Sequence, residues 1–167
     1  MELYLLRHAI AVVRGTPGYE RDADRPLTPK GEKKMHRIAE GMLALGLSFD
    51  LILSSPILRA RQTAEIAAED LGLEKMLNFS DNLGTDGEAE DLIKELNANY
   101  KALDSIMLVG HEPDLSSLIS VLIAGDAGLS ITMKKGGLCK LTVDSLRYGR
   151  CAALDWLLAP SQLTRMS

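Results

Sequence analysis

Three short apolar runs constrain this chain most, because each stops abruptly at residues that carry chemistry. Leu3 to Leu6 ends in Arg7-His8, Leu51-Ile52-Leu53 ends in Ser54-Ser55-Pro56, and the run from Ser105 to Val109 ends in Gly110-His111. Each is of strand length and apolar nearly throughout, the pattern of a strand buried on both faces. The residues between them are spaced as helices. Thr28 is placed to cap a helix with Pro29 at its first position, and Met35, Ile38, Ala39, Met42 and Leu43 then share one face as far as Gly46. Ser54-Ser55-Pro56 reads as the cap and start of a second helix through Leu58, Ala60, Thr63, Ala64, Ile66 and Ala67 to Gly72. A short strand is expected within Lys75 to Phe79. A helix over 88–103 would bury Leu92, Ile93, Leu96, Tyr100 and Leu103, and another from Pro113 would bury Leu115, Leu118, Ile119 and Leu122.

The C-terminal part changes character. Ile131 to Met133, Leu138 to Val143 and Ala152 to Leu157 read as strands joined by glycine turns, without helices between them. Together these patterns predict an α/β fold: a three-layer α/β/α sandwich with a mainly parallel central sheet and antiparallel strands added from the C-terminal part. The 167 residues, 46% apolar and 25% charged, are enough for one domain over 1–167 whose core needs no metal or disulfide staple. Cys139 and Cys151 form no C-x-x-C pair and are expected as free thiols. Met1-Glu2-Leu3-Tyr4 lacks a basic leader, and no apolar stretch approaches the ~20 residues of a membrane span. A cytoplasmic protein with no membrane partner is the expectation.

Ligands of open α/β sheets bind beyond the carboxyl ends of the strands. That rule gathers Arg7 and His8 from the first strand, Arg59 from one turn into the helix after the second, and His111 from the third. Two arginines and two of the three histidines thus meet at one rim, in a chain whose 19 Lys and Arg against 23 Asp and Glu leave a net charge of −4. Such a balance argues against a nucleic-acid partner, which needs a broad positive field. A local cluster of cations suits a phosphoryl group instead, because guanidinium forks match its oxygens and helix N-termini add free N–H donors. An imidazole kept neutral by neighbouring cations can attack phosphorus. A second histidine, when protonated, would add charged donation to the transition state.

Each of these residues taken alone has a plainer explanation. A strand-end arginine is usually a solvated charge, and a lone histidine is more often a packing residue than a catalyst. His36, mid-helix among Lys33, Lys34 and Arg37, stays in that class, and Arg61 is expected to face solvent. For Arg7, His8, Arg59 and His111 the plain reading needs four coincidences at one rim.

Leu6-Arg7-His8-Ala9 after an N-terminal strand resembles the Arg-His-Gly signature of the histidine phosphatase superfamily, the fold of the phosphoglycerate mutases. Ser54-Ser55-Pro56-Ile57-Leu58-Arg59-Ala60-Arg61-Gln62-Thr63-Ala64 is similar to that family's second motif, and Val109-Gly110-His111 to its third. Arg25-Pro26-Leu27-Thr28, the brevity of the chain and Trp156-Leu157-Leu158-Ala159-Pro160 resemble the short bacterial phosphohistidine phosphatases in particular. Ala9 departs from the pattern, standing where glycine is commoner. The resemblance implies His8 as a nucleophile that forms a phosphohistidine intermediate, with Arg7, Arg59 and His111 holding the phosphoryl oxygens. It implies no cofactor and no metal. Arg25 either touches the phosphate or pins its own loop through Asp22 or Asp24.

The general acid is the open position. Glu88, ahead of the 88–103 helix, and Glu112, directly after His111, are the candidates, and each would equally serve a helix start. A phosphoramidate needs less help, since its leaving imidazole is readily protonated from water. The expected partner is therefore a phosphorylated protein, such as a phosphohistidine-carrying domain, or a small phosphorylated metabolite. The rivals are a sugar-phosphate type of phosphomonoesterase and a non-catalytic phosphate or phosphopeptide-binding module. Thiol phosphatase chemistry is excluded, because six residues after Cys139 stands Ser145 and six after Cys151 stands Leu157, where C-x₅-R requires arginine. No Walker A loop, G-x-G-x-x-G, nucleophile elbow or H-E-x-x-H occurs.

Overall fold

The computed structural model describes residues 1–167. Strands β1 (Glu2–Arg7), β2 (Leu51–Ser54), β3 (Leu77–Phe79), β4 (Ser105–Gly110), β5 (Leu138–Val143) and β6 (Ala152–Leu158) form one sheet in the order β3-β2-β4-β1-β5-β6. The first four run parallel, while β5 is antiparallel to β1 and β6 to β5. The helices are α1 (Pro29–Ala44), α2 (Leu58–Leu71), α3 (Ala89–Asn99), α4 (Asp114–Ala124) and α5 (Pro160–Leu163).

Alternation along each strand divides the core in two. Leu3 and Leu5 of β1, with Ile106 and Leu108 of β4, pack under α3 and α4 against Leu92, Ile93, Leu96, Leu115, Leu118 and Leu122. Tyr4 and Leu6, with Met107 and Val109, face α1 and α2 through Met35, Ile38, Met42, Ala60, Ala64 and Ala67. The alanines of α2 let its backbone approach the sheet closely, which carries Arg59 inward. The three-layer mixed sandwich expected from the sequence is the observed architecture. No helix is long and apolar enough to cross a membrane.

This topology sets the place for a ligand. The chain leaves β1 for α1 on one face and leaves neighbouring β4 for α4 on the other, so a crevice opens between their carboxyl ends. The parallel register pairs Arg7 with Gly110 and puts His8 and His111 side by side, one residue further on. Gly31 sets the depth of the following segment: a Cβ there would lie 2.0 Å from the carbonyl oxygen of Ile10.

Four local expectations need correction. Ile131–Met133 is not a strand, because β5 takes the edge of β1 and leaves this segment no ladder partner. Ser54-Ser55-Pro56 does not cap α2, which begins at Leu58 with Ile57 at the N-cap and no side-chain cap. The third helix stops at Asn99, so Tyr100 and Leu103 pack from the turn beyond it. Leu43, placed on the apolar face of α1, is 50% exposed.

Candidate active site

The site is assembled by backbone before side chains enter. His8 N–H donates to the Gly110 carbonyl at 3.0 Å, and Ser55 N–H donates to that of Val109 at 2.9 Å, so all three strand ends are tied together. Gly136 N–H donates to the carbonyls of both Arg7 (3.0 Å) and His8 (3.2 Å), with φ at +80°, a conformation that favours glycine. Ala9, standing where glycine is commoner, needs no positive φ. Its N–H donates to Thr63 Oγ1 at 3.0 Å, and that hydroxyl donates to the Arg59 carbonyl at 2.6 Å. The His8-Ala9 segment and the α2 arginine are thereby locked to one another.

Arg7, His8, Arg59 and His111 do meet. The rings of His8 and His111 lie 5.3 Å apart between centroids, and these histidines are 6% and 2% exposed. Arg59 is 3% exposed. The Arg7 Nη1 donates to the Met133 carbonyl at 2.6 Å, which is the role of the segment that does not become a strand. Three buried side-chain polar atoms in the protein have no partner: Arg7 Nε, Arg59 Nε and His111 Nδ1. All three belong to this cluster. Unpaired buried polar atoms are costly and rare, and these three fall together.

Hydrogen bonding fixes the tautomer of His8, and burial keeps both imidazoles neutral. His8 Nδ1 lies 2.8 Å from the Ala9 carbonyl oxygen, which only accepts, so Nδ1 carries the proton and Nε2 keeps a free lone pair. Burial, followed by the charges of His111, Arg59 and Arg7, outweighs that hydrogen bond and lowers the His8 pKa to about 3. His111 Nε2 lies 2.9 Å from Ser55 Oγ, which already accepts from Ile57 N–H at 3.2 Å. The contact with Ser55 orients the ring and leaves His111 Nδ1 without a partner in the chain. Burial and the arginines, Arg59 foremost, lower the His111 pKa to about 4. His111 is thus neutral in the free protein, where the sequence reading considered a charged one.

The loop over 14–27 closes one side. Arg59 donates from Nη1 to the Asp22 carbonyl at 2.9 Å and from Nη2 to Asp22 Oδ2 at 3.0 Å. Arg25 clasps the other oxygen of Asp22 through Nη2 at 2.7 Å and Nε at 3.0 Å, and Arg14 reaches the same oxygen at 3.0 Å. Burial works against ionisation of Asp22, but Arg25, Arg14 and Arg59 together bring its pKa down to about 2. Arg25, 8% exposed, therefore performs the loop-pinning role and also stands beside the cluster. Lys135 is a further cation at the rim, its pKa lowered by burial and by Arg7, Arg25 and Arg59.

The two candidate acids have different surroundings. Glu112 Oε1 accepts from Ser116 N–H at 3.0 Å and so serves the start of α4. Glu88 stands at the N-cap of α3 with no side-chain cap bond and lines a cavity that His111 also lines. A larger depression, about 550 Å³ between Met1, Arg147 and Cys151, lies at the opposite end of the sheet and contains none of these residues. His36 pairs with Asp70 at 2.7 Å and Arg61 with Glu65 at 2.8 Å, both on the surface as expected.

A family model described as the histidine phosphatase superfamily (branch 1) matches residues 3–83. A protein of Agrobacterium tumefaciens assigned as the phosphohistidine phosphatase SixA is 33% identical, with a TM-score of 0.75 over 95% of this chain and 97% of that one. The chain belongs to the histidine phosphatase superfamily. The protein histidine phosphatase SixA complexed with tungstate shares the fold over 98% of this chain and 99% of its own, with a TM-score of 0.81 and 24% identity. A mycobacterial glucosyl-3-phosphoglycerate phosphatase shares it too, over 95% and 99%, with a TM-score of 0.70 and 18% identity. The superfamily fold thus holds enzymes named for a protein substrate and for a small metabolite.

Within this superfamily member, the sequence reading missed residues that act through others. Ser55 and Thr63 lie inside the second motif, yet nothing in their spacing shows that one orients His111 and the other ties Ala9 to Arg59. Asp22 was noticed only as a partner for Arg25. Met133 and Gly136 contribute backbone atoms, which carry no signal in residue type beyond the glycine.

Proposed function

We propose that this protein is a metal-independent phosphatase that passes a phosphoryl group through His8 Nε2 to water, and that its substrates are phosphohistidines on proteins. One observation carries the phosphoryl assignment: the unpartnered buried side-chain polar atoms, Arg7 Nε, Arg59 Nε and His111 Nδ1, all belong to the cluster that holds the free lone pair of His8. A phosphoryl group there would satisfy all three, His111 as the Nδ1–H tautomer. The His8 lone pair attacks phosphorus, and the P–Nε2 bond forms as the bond to the substrate imidazole breaks. The bonding pair stays on the departing nitrogen, which takes a proton from water. A second water then attacks phosphorus, the P–Nε2 pair returns to His8, and inorganic phosphate leaves. Arg7 and Arg59, with Lys135 at the rim, supply the positive charge that a divalent ion supplies in other phosphoryl-transfer enzymes.

The protein-borne substrate is supported by the likeness to the Agrobacterium tumefaciens protein assigned as a phosphohistidine phosphatase, 33% identical over 95% of this chain and 97% of its own. The second reading, a small-molecule phosphomonoesterase, is favoured by the metabolite phosphatase that shares the fold. A phosphohistidine protein assayed against sugar and nucleotide monophosphates, with and without EDTA, separates the two. Preference for the phosphohistidine protein, unchanged by EDTA and inhibited by vanadate, is expected. Preference for a monophosphate would install the second reading, binding of phosphate without any turnover would leave a recognition module, and loss in EDTA restored by a divalent ion would refute metal independence.

A further inference from the structure

A cavity of about 250 Å³ adjoins the phosphoryl site through His111, which forms part of its wall. Leu83, Leu92, Leu115, Leu118 and Val121 supply the apolar part of the lining, and the polar part comes from Asn82, Glu88, Asp114, Ser117 and Tyr148. No lysine or arginine is among its residues. Neither Glu88 nor Asp114 is held in an ion pair within the chain. Asp114 is half-buried, and burial followed by the charges of Glu112 and Glu88 raises its pKa. The wall they share with the phosphoryl site is His111, 2% exposed, whose Nδ1 has no partner in the chain.

The site is therefore polarised in charge from one end to the other. Cations gather at the phosphoryl side, and two uncompensated carboxylates stand over an apolar floor on the other. We infer that this cavity is the leaving-group subsite, and that it selects a neutral or cationic nitrogen ring, an imidazole, over leaving groups that carry an anion. The volume is below the roughly 300–1,000 Å³ of sites for drug-sized ligands, which suits one side chain better than a sugar or nucleotide. An imidazole offers a flat apolar face to the leucines and, when protonated at the nitrogen remote from phosphorus, an N–H for a carboxylate. A carboxylate-bearing metabolite has no cation to meet there and faces two like charges, so rejection is built in as well as recognition.

This inference rests on the His8 phosphatase reading but not on the protein nature of the substrate, so the probes are small. Phosphoimidazole and 3-phosphoglycerate are compared on the full-length protein, the Glu88→Gln/Asp114→Asn double variant and Glu88→Lys, with inorganic phosphate as a competitive inhibitor. Wild type is expected to prefer phosphoimidazole. The double variant should raise its KM by about tenfold, the scale of one hydrogen bond to a charged group, with kcat within about threefold. Glu88→Lys, at an exposed position that leaves the core untouched, should lower the KM for 3-phosphoglycerate, and phosphate inhibition of the double variant should stay within about threefold of wild type. Unchanged selectivity in both variants, or a fall in kcat with KM constant, would overturn the subsite. If phosphoimidazole shows this carboxylate dependence while phosphohistidine protein is refused, the subsite stands and the protein substrate fails. If the protein is hydrolysed with no carboxylate dependence for phosphoimidazole, the reverse holds.

Discussion

His8 and His111 face each other at 5.3 Å between ring centroids, tilted by 51°, and both rings are neutral although arginines surround them. Their hydrogen bonds make them unlike. His8 donates from Nδ1 to the Ala9 carbonyl and keeps the Nε2 lone pair, while His111 pairs through Nε2 with Ser55 and keeps Nδ1 unpartnered. In the proposed reaction one ring attacks and the other holds what is attacked.

That arrangement has a cost in acid. The His8 and His111 pKa values fall from an ordinary 6.5 to about 3 and about 4. Between those values and 6.5 the unfolded chain binds protons that the native chain refuses, so stability rises with pH through this window and levels off above it. Each histidine contributes a slope of at most about 1.4 kcal/mol per pH unit. Denaturant unfolding from pH 7 to 4.5 should show wild type losing stability more steeply than His8→Asn. Equal slopes would contradict a neutral, desolvated His8.

Asp22 stands in for an anion. It is the only carboxylate that Arg14, Arg25 and Arg59 touch, and it meets all three. Asp22→Asn should lower stability by about 1–3 kcal/mol, because the charges it neutralises stay close together and partly buried. Phosphate should then raise the unfolding temperature of Asp22→Asn more than that of wild type, since the ligand replaces the missing charge. Equal phosphate-induced shifts would show that Asp22 holds only its own loop.

The carboxylates near the site should matter less than the clamp. Glu88→Gln and Glu112→Gln should reduce phosphohistidine kcat by far less than the roughly 10²–10⁴-fold of a lost general acid. The same changes should harm any turnover of alkyl phosphates more, because an alkoxide leaves poorly without a proton. Arg59→Ala should damage both activities alike. Kinetics of the three variants on the two substrates check this, and a Gln variant as impaired on phosphohistidine as Arg59→Ala would move the enzyme to acid-dependent chemistry.

The strand ends were legible because buried parallel strands leave continuous apolar runs, and the residue after such a run must surface at one edge. That logic alone gathered Arg7, His8, Arg59 and His111. It failed at Ile131–Met133, where a locally strand-like segment is used for one carbonyl that receives Arg7. Burial of Arg25 and the pairing of Asp22 with Arg59 are equally invisible in sequence, since they join positions 37 apart through a loop of no regular pattern. The cavity beside His111 draws on α3, α4, the segment before α3 and distant Tyr148, a set that only the packed sheet brings together.

The central claim is a phosphoryl bond on His8 Nε2, and rapid quenching during turnover of a ³²P-phosphorylated substrate tests it most directly. The wild-type protein should carry an acid-labile, base-stable label that maps to the peptide containing His8. His8→Ala should carry none and turn over no substrate, while an unfolding transition shows that it remains folded. A His8→Ala variant with activity within a few-fold of wild type, or a label on any other residue, would contradict the account.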